Sequence, residues 1–409
     1  FNCPRLDKLT ALDFGHTYID IDISDIKNSL LNFFAVYGMI TLLYYGVVWL
    51  PVRKRAEIAR SHVKVNRNFP TATRGKPIGD GAPYMKNKQY EREKRMNKIS
   101  IIGTGSVGST IAYTLAVMGI ASEIVMIDIN NEKALGEALD IRQGTPFCNA
   151  CSVYAGDYWD ASNSDIVILT SGIARKPGQT RLELAQTNVN ITKSIIPEIT
   201  KYAPNAIYII VSNPVDILTY TFNKFSSIPE NHIIGSGTIL DTARLRARLS
   251  EYYNINQSNV HAYVFGEHGD SSMIPWSVAN ISNVPIKECQ RLMSTPGIAS
   301  PELDFDEVEQ YVKKSGGRVI ARKGATFYAV SVSVCHICKC ILSGVDTTMT
   351  VSTMMHGEYG IDGVCLSTLN MIGHNGIRGK VNVPLTDDEV AKLRHSADTL
   401  KDVIKNLDI

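Results

Sequence analysis

Four short polar runs carry side chains that could share one reaction. Val264-Phe265-Gly266-Glu267-His268-Gly269-Asp270 sets an imidazole among glycines, and imidazole is the group whose ordinary pKa lets it give and take a proton near neutrality. Leu240-Asp241-Thr242-Ala243-Arg244 puts a carboxylate and a guanidinium three residues apart, on one side of a helix. Asp241 can fix the tautomer of His268, and Arg244 offers a planar two-pronged clamp for a carboxylate. Val211-Ser212-Asn213-Pro214-Val215-Asp216 ends an apolar strand, and the proline holds Asn213 extended with its amide toward the crevice. Residues 171–181 form a Gly/Pro loop with Arg175 and Arg181 in it, a composition suited to a lid. Taken singly, such features are usually structural, and an Asp/Arg pair at this spacing is usually a surface salt bridge. Together they meet the needs of hydride transfer with a 2-keto/2-hydroxy acid: a polarised carbonyl, a delivered proton and a held carboxylate.

These groups need a frame, and the sequence supplies one. Lys98-Ile99-Ser100-Ile101-Ile102 reads as a strand, followed by Gly103-Thr104-Gly105-Ser106-Val107-Gly108, the G-x-G-x-x-G spacing of a dinucleotide-binding turn. The first glycine allows the turn, the second lets backbone approach a pyrophosphate, and the third lets the helix pack on the strand. Val107, Ile111, Leu115 and Met118 then recur at helical spacing up to Gly119, a helix stop. A second strand, residues 123–127, ends in Asp128, about the distance from the turn expected of an acid that binds ribose hydroxyls and repels a 2′-phosphate. NAD is therefore expected rather than NADP. Further apolar strands at 166–170 and 206–211, with helix between them, predict a Rossmann doubly wound parallel sheet, and residues past Ile239 an α+β substrate domain. The expected division is 1–95 outside the enzyme core, 96–239 cofactor-binding and 240–409 substrate-binding.

The 409-residue chain is 20% charged and 44% hydrophobic, ordinary for a globular protein, with a formal net charge of +2. The positive charge is concentrated in residues 52–95, which hold 13 basic against 4 acidic side chains. The rest is mildly acidic, which gives no reason to expect nucleic-acid binding. The eight cysteines are scattered, unlike a secreted disulfide framework, and point to a reducing compartment, the cytoplasm. Cys335-His336-Ile337-Cys338-Lys339-Cys340 looks metal-like but lies in a run, 325–342, that reads as one buried helix, so core thiols and no metal are expected. Residues 30–50 are apolar enough to cross a bilayer and are followed by Arg53-Lys54-Arg55. Either they anchor the enzyme at a membrane, or they are foreign to a core that starts at Met96; the second reading is preferred because the first strand needs nothing upstream.

From about Lys98 to Leu407 the sequence closely resembles the lactate/malate dehydrogenase family, through the glycine turn, Asn213-Pro214-Val215-Asp216, Asp241-Thr242-Ala243-Arg244 and Gly266-Glu267-His268-Gly269-Asp270. The resemblance implies His268 as proton donor and acceptor, Asp241 as its partner, Arg244 as carboxylate clamp and Arg181 as the loop arginine that polarises the carbonyl. Asn213 would contact nicotinamide and substrate. Gly103, Gly105, Val107, Gly108, Asp128, Lys133 and Gly172 are assigned to the cofactor site.

Marks within the resemblance disagree about substrate. Arg175 stands where lactate enzymes typically have Gln and malate enzymes place Arg, whereas Thr326 and residues 235–241 have the lactate form. Arg246 and His261 match the basic pair with which bacterial allosteric lactate dehydrogenases bind fructose 1,6-bisphosphate between subunits. L-Lactate is the expected substrate, from a homo-oligomer (tetramer or dimer), with L-malate as the alternative. A membrane-tethered NAD-binding sensor without turnover is the alternative from another class; a binding module needs no proton donor, and the intact reactive set argues against it.

Overall fold

The chain divides into two units, residues 1–84 and 85–409. The computed structural model describes residues 97–173, 180–292 and 302–409, all in the second unit. The expected span at 30–50, the basic stretch 52–95 and Arg175 lie outside the described residues.

A nine-stranded sheet organises the second unit. Its first six strands are β1 (Lys98–Ile102), β2 (Glu123–Ile127), β3 (Ser152–Ala155), β4 (Ile166–Leu169), β5 (Ile207–Ile210) and β6 (Ile233–Gly235). They lie parallel in the order 3-2-1-4-5-6. β7 (Val260–His261), β8 (Asn280–Ile281) and β9 (Val284–Pro285) form a small antiparallel sheet of their own. β10 (Thr347–His356), β11 (Asp362–Gly373) and β12 (Gly376–Lys380) join the large sheet antiparallel beside β6. The residues past Ile239 thus both extend the cofactor sheet and build the smaller one.

Because the inner parallel strands are buried on both faces, they read as largely apolar runs whose alternate side chains enter different cores. Ile99, Ile101, Ile124, Met126, Ile166 and Ile168 face one core; Ile102, Val125, Ile127, Val167 and Leu169 face the other. Each fully buried aliphatic side chain contributes about 1.5–3 kcal/mol.

Nine helices cover these faces among the described residues. α1 (Ser106–Val117) and α8 (Tyr328–Leu342) seal the first core through Ile111, Leu115, Val334, Ile337 and Ile341. α3 (Arg181–Tyr202), α4 (Val215–Phe225) and α9 (Asp387–Lys405) cover the second. α5 (Ile239–Tyr253) and α7 (Phe305–Lys323) enclose a third core over the small sheet, through Leu245, Leu249, Val308 and Val312. α2 (Asn131–Gly144) and the single turn α6 (Cys289–Leu292) complete the set.

Several expected boundaries differ: β4 stops a residue short of the expected 166–170, β5 is a residue shorter at each end than the expected 206–211, and two helix ends move. Helix α1 ends at Val117, one residue short of Met118, which is exposed; the chain leaves through Gly119 at φ +62°. The helix expected over 325–342 starts only at Tyr328. Ala325, Thr326 and Phe327 are needed for the reversal between α7 and α8, which begins at Gly324 with φ +85°. Cys335 and Cys338 are buried in the core, and both thiols are pushed up by burial.

Candidate active site

The strand order reverses between β1 and β4, and the crevice beyond the carboxyl ends of those strands is where ligands bind in such sheets. The glycine turn sits at that point, with the amide of Gly103 donating to Ile127 O at 2.7 Å. Gly103 has φ +97°, and a Cβ there would lie 2.6–2.9 Å from the backbone of Thr170 and Ser171. A Cβ at Gly108 would lie 1.9 Å from Gly103 O, so this residue sets how closely helix and strand pack. A Cβ at Gly105 would meet nothing within 4 Å, because that position opens on a cavity of about 730 Å³. Asp128, Lys133 and Gly172 line the same cavity.

The carboxylate of Asp128 accepts hydrogen bonds from the amides of Thr104 at 2.6 Å and Asn130 at 2.9 Å, and from the Thr104 hydroxyl. Burial works against its charge, but these donors outweigh burial and hold the pKa below the usual carboxylate range. A fixed anion therefore stands at the end of β2. The open face at Gly105, the free helix N-terminus behind it and this anion fit the pyrophosphate and ribose of NAD.

A second cavity, of about 270 Å³, holds the reactive side chains: Asn213, Asp241, Arg244, His268 and Thr326, with Val107 beside them. Asp241 lies in the first turn of α5, so its carboxylate is presented at the helix start, while Arg244 follows on the same side. His268 Nδ1 is 2.6 Å from Asp241 Oδ2, and Arg244 Nη1 donates to Asp241 Oδ1 at 2.8 Å. One buried carboxylate thereby orients both cations. Burial alone would push the imidazole pKa down, but the charge and hydrogen bond of Asp241 outweigh it and hold His268 above its ordinary range. Asp241 is held below its own range, burial being overcome by His268 and Arg244.

Asn213 follows β5, and its peptide bond to Pro214 is cis. Arg181 is placed at the rim rather than inside. Thr180 and Glu183 form a reciprocal cap that starts α3 at Arg181, and the guanidinium pairs with Asp270 at 2.7 Å, both side chains largely exposed. Arg246 donates to Gln257 O at 3.1 Å and lines a separate cavity with His336, while His261 is exposed on β7.

Two contributors to the site went unassigned in the sequence. Asp216 is buried beneath it, accepting from the backbone amide of His268 at 2.8 Å and from the Ser352 hydroxyl at 2.6 Å. Burial pushes its pKa up to about 6 against the pull of those donors. Asn188, buried in the middle of α3, accepts from the amide of Ile173 at 2.9 Å and donates to Asn213 O at 2.7 Å, joining the stem of the 171–181 loop to Asn213. Asp216 stood in plain view inside the Asn213-Pro214-Val215-Asp216 run. For Asn188 the only sequence signal was a polar residue on the buried side of a helix.

Comparison with known proteins agrees with this geometry. Residues 97–235 match the lactate/malate dehydrogenase NAD binding domain, and residues 238–408 the lactate/malate dehydrogenase alpha/beta C-terminal domain. The chain is 46% identical over 319 residues to an L-lactate dehydrogenase of Thermoanaerobacterium saccharolyticum, covering 77% of this chain and 100% of that one. It is 47% identical over 315 residues to that of Thermoanaerobacter pseudethanolicus, with the same coverage. Among solved structures, the minor L-lactate dehydrogenase of Enterococcus mundtii superposes with a TM-score of 0.73 at 36% identity, covering 77% of this chain and 99% of that one. A glycine turn backed by a ribose-binding acid and a His-Asp-Arg cluster at the switch point, matched by both domains of one family, establish that this chain belongs to the lactate/malate dehydrogenases and carries their NAD-binding domain.

Proposed function

We propose that the protein is an NAD-dependent L-lactate dehydrogenase, interconverting pyruvate and L-lactate. The observation that carries the reaction is the shared carboxylate of Asp241, which holds His268 and Arg244 in one cavity. In this reading Arg244 binds the substrate carboxylate through its guanidinium, leaving the 2-oxygen toward His268. With Asp241 on Nδ1, the Nε2 proton of His268 is the one delivered to that oxygen, and the imidazolium that gives it is stabilised by the same carboxylate. NADH, when bound, supplies the hydride. Asn213 faces both ligands, and Arg181 polarises the carbonyl once released from Asp270.

The curated relatives named above support lactate over malate, as do Thr326 in the cavity and the lactate form of residues 235–241. The exposed apolar side chains Tyr113 and Val117 on α1, Met118 just past its end and Val332 on α8 support a homo-oligomer, tetramer or dimer. The pair Arg246 and His261, outside both main cavities, supports a fructose 1,6-bisphosphate effector. All seven cysteines among the described residues are free, which supports a reducing cytoplasm.

Steady-state oxidation of NADH with pyruvate and with oxaloacetate, each with and without fructose 1,6-bisphosphate, tests the reading. Pyruvate is expected to have the higher kcat/KM and the bisphosphate to raise it. A preference for oxaloacetate, abolished by Arg175→Gln, would make the enzyme a malate dehydrogenase instead.

A further inference from the structure

The run that carries His268 is held from behind by α9. Ser396, fully buried on that helix, places its Oγ 2.8 Å from the amide of Glu267, which donates to it, and 3.0 Å from the hydroxyl oxygen of Ser271. The directions of these bonds follow from a proton count. An ionised carboxylate only accepts, so the Ser271 hydroxyl gives its one proton to Glu267 Oε2. The Ser396 hydroxyl therefore donates to Ser271, and its lone pair receives the Glu267 N–H. The bonds close a ring that begins and ends on Glu267.

The approach is close enough to dictate a neighbour. A Cβ at Gly266 would lie 2.7 Å from Ser396 Oγ and 3.2 Å from Ser396 Cβ, and Gly266 has φ +96°. On its other side Gly266 exchanges backbone hydrogen bonds with Ser367 of β11, at 2.9 and 3.2 Å. The amide of His268 donates to Asp216 of α4 at 2.8 Å. Three successive residues are thus fixed from β11, α9 and α4 in turn. The bond to Asp241 sets which way the imidazole faces, but these attachments set where its backbone stands.

We propose that Ser396 is a positioning residue for proton transfer, holding the Glu267 peptide so that the next residue, His268, meets the substrate oxygen. This rests on the dehydrogenase reading above. Without the hydroxyl the Glu267 amide loses its acceptor, and the half-buried N–H finds another by rotating its peptide, which glycine at 266 permits. A displacement of about 1 Å at a reacting group costs on the order of a hundredfold in rate. The carboxylate clamp is untouched, because Arg244 stands on α5.

The test is the single-turnover rate constant for NADH oxidation at saturating pyruvate, with its amplitude and the melting temperature, in the full chain and in Ser396→Ala. The rate constant is expected to fall tenfold or more while the Kd for NADH stays within threefold. Thr386→Ala is the control, since it removes the hydroxyl that caps α9 at the Glu389 amide and so weakens the helix without touching Glu267. A purely structural role for Ser396 would lower amplitude and melting temperature in both variants and leave both rate constants at the parent value. A fall of less than tenfold in Ser396→Ala overturns the proposal, and so does an equal fall in Thr386→Ala. Should Ser396→Ala not fold, Ser396→Cys, which keeps the shape but replaces a good acceptor with a weak one, is read against the same threshold. Absence of pyruvate turnover by the parent chain would instead count against the dehydrogenase reading itself.

Discussion

His268 Nδ1 and Asp241 Oδ2 lie 2.6 Å apart, and the imidazole is held above its ordinary pKa although burial alone would lower it. The pair joins two segments distant in sequence, the start of α5 and the glycine-flanked run after the small sheet's first strand. Its geometry therefore depends on the fold and cannot form locally.

Pyruvate reduction needs protonated His268, so its rate is expected to fall as pH rises through the raised pKa of the folded imidazole. In Asp241→Asn the partner that outweighs burial is gone. The falling limb of kcat/KM against pH should then move to lower pH, and activity at neutral pH should drop by about a hundredfold or more. An unshifted limb would remove Asp241 from the role of partner. The pair also stabilises the fold. Asp241's depressed pKa makes its contribution present above the ordinary 3.8 and lost as pH falls through the folded value. His268's raised pKa makes its contribution present below 6.5 and lost as pH rises through the folded value.

Asp216 behaves oppositely, because its pKa is raised from 3.8 to about 6. Between those values the unfolded chain has lost this proton while the folded chain keeps it, so Asp216 makes stability fall as pH rises from 4 to 6. Two pKa units correspond to roughly 3 kcal/mol. Asn at this position can still accept from the His268 amide but carries no charge. The stability of Asp216→Asn relative to the parent should therefore be more favourable at pH 7 than at pH 4 by roughly that amount, read from urea unfolding at the two pH values. Equal differences at both would show that the carboxyl is not held protonated.

How far the site was legible depends on whether a residue acts through its own chemistry or through its neighbours. The glycine turn, Asp128, Asp241, Arg244 and His268 were legible because turn conformation, helical spacing and side-chain chemistry are local properties that a sequence displays. The parallel sheet was legible because strands buried on both faces must be largely apolar, as β4 and β5 are throughout and β1 and β2 are apart from Lys98, Ser100 and Glu123. The antiparallel extension by β10, β11 and β12 was not, since nothing local says which edge a later strand will join. Asp216 and Asn188 were missed for a related reason: each works by accepting or donating to backbone far away in sequence. The late start of α8 also has a non-local origin, because apolar periodicity continues through Ala325 and Phe327 while the reversal from α7 consumes those residues.

The second and third glycines of the turn separate cofactor binding from folding. Gly105 has φ −68° and ψ −175°, values open to any residue, and the space beyond its missing Cβ is the cofactor cavity. Gly105→Ala should fold normally, with stability within about 1 kcal/mol of the parent, because reduced chain entropy in the unfolded state offsets a poorer helix cap. Its methyl group nevertheless projects where the pyrophosphate must approach, so the Kd for NADH should rise tenfold or more, measured by fluorescence titration. Gly108→Ala puts a Cβ 1.9 Å from Gly103 O and 2.7 Å from the Thr170 hydroxyl. The helix must then move off the strand, and overpacking of this kind costs about 1–3 kcal/mol. That variant should lose both melting temperature and NADH affinity. A Gly105→Ala protein that binds NADH as tightly as the parent would place the pyrophosphate elsewhere, whatever happens at Gly108.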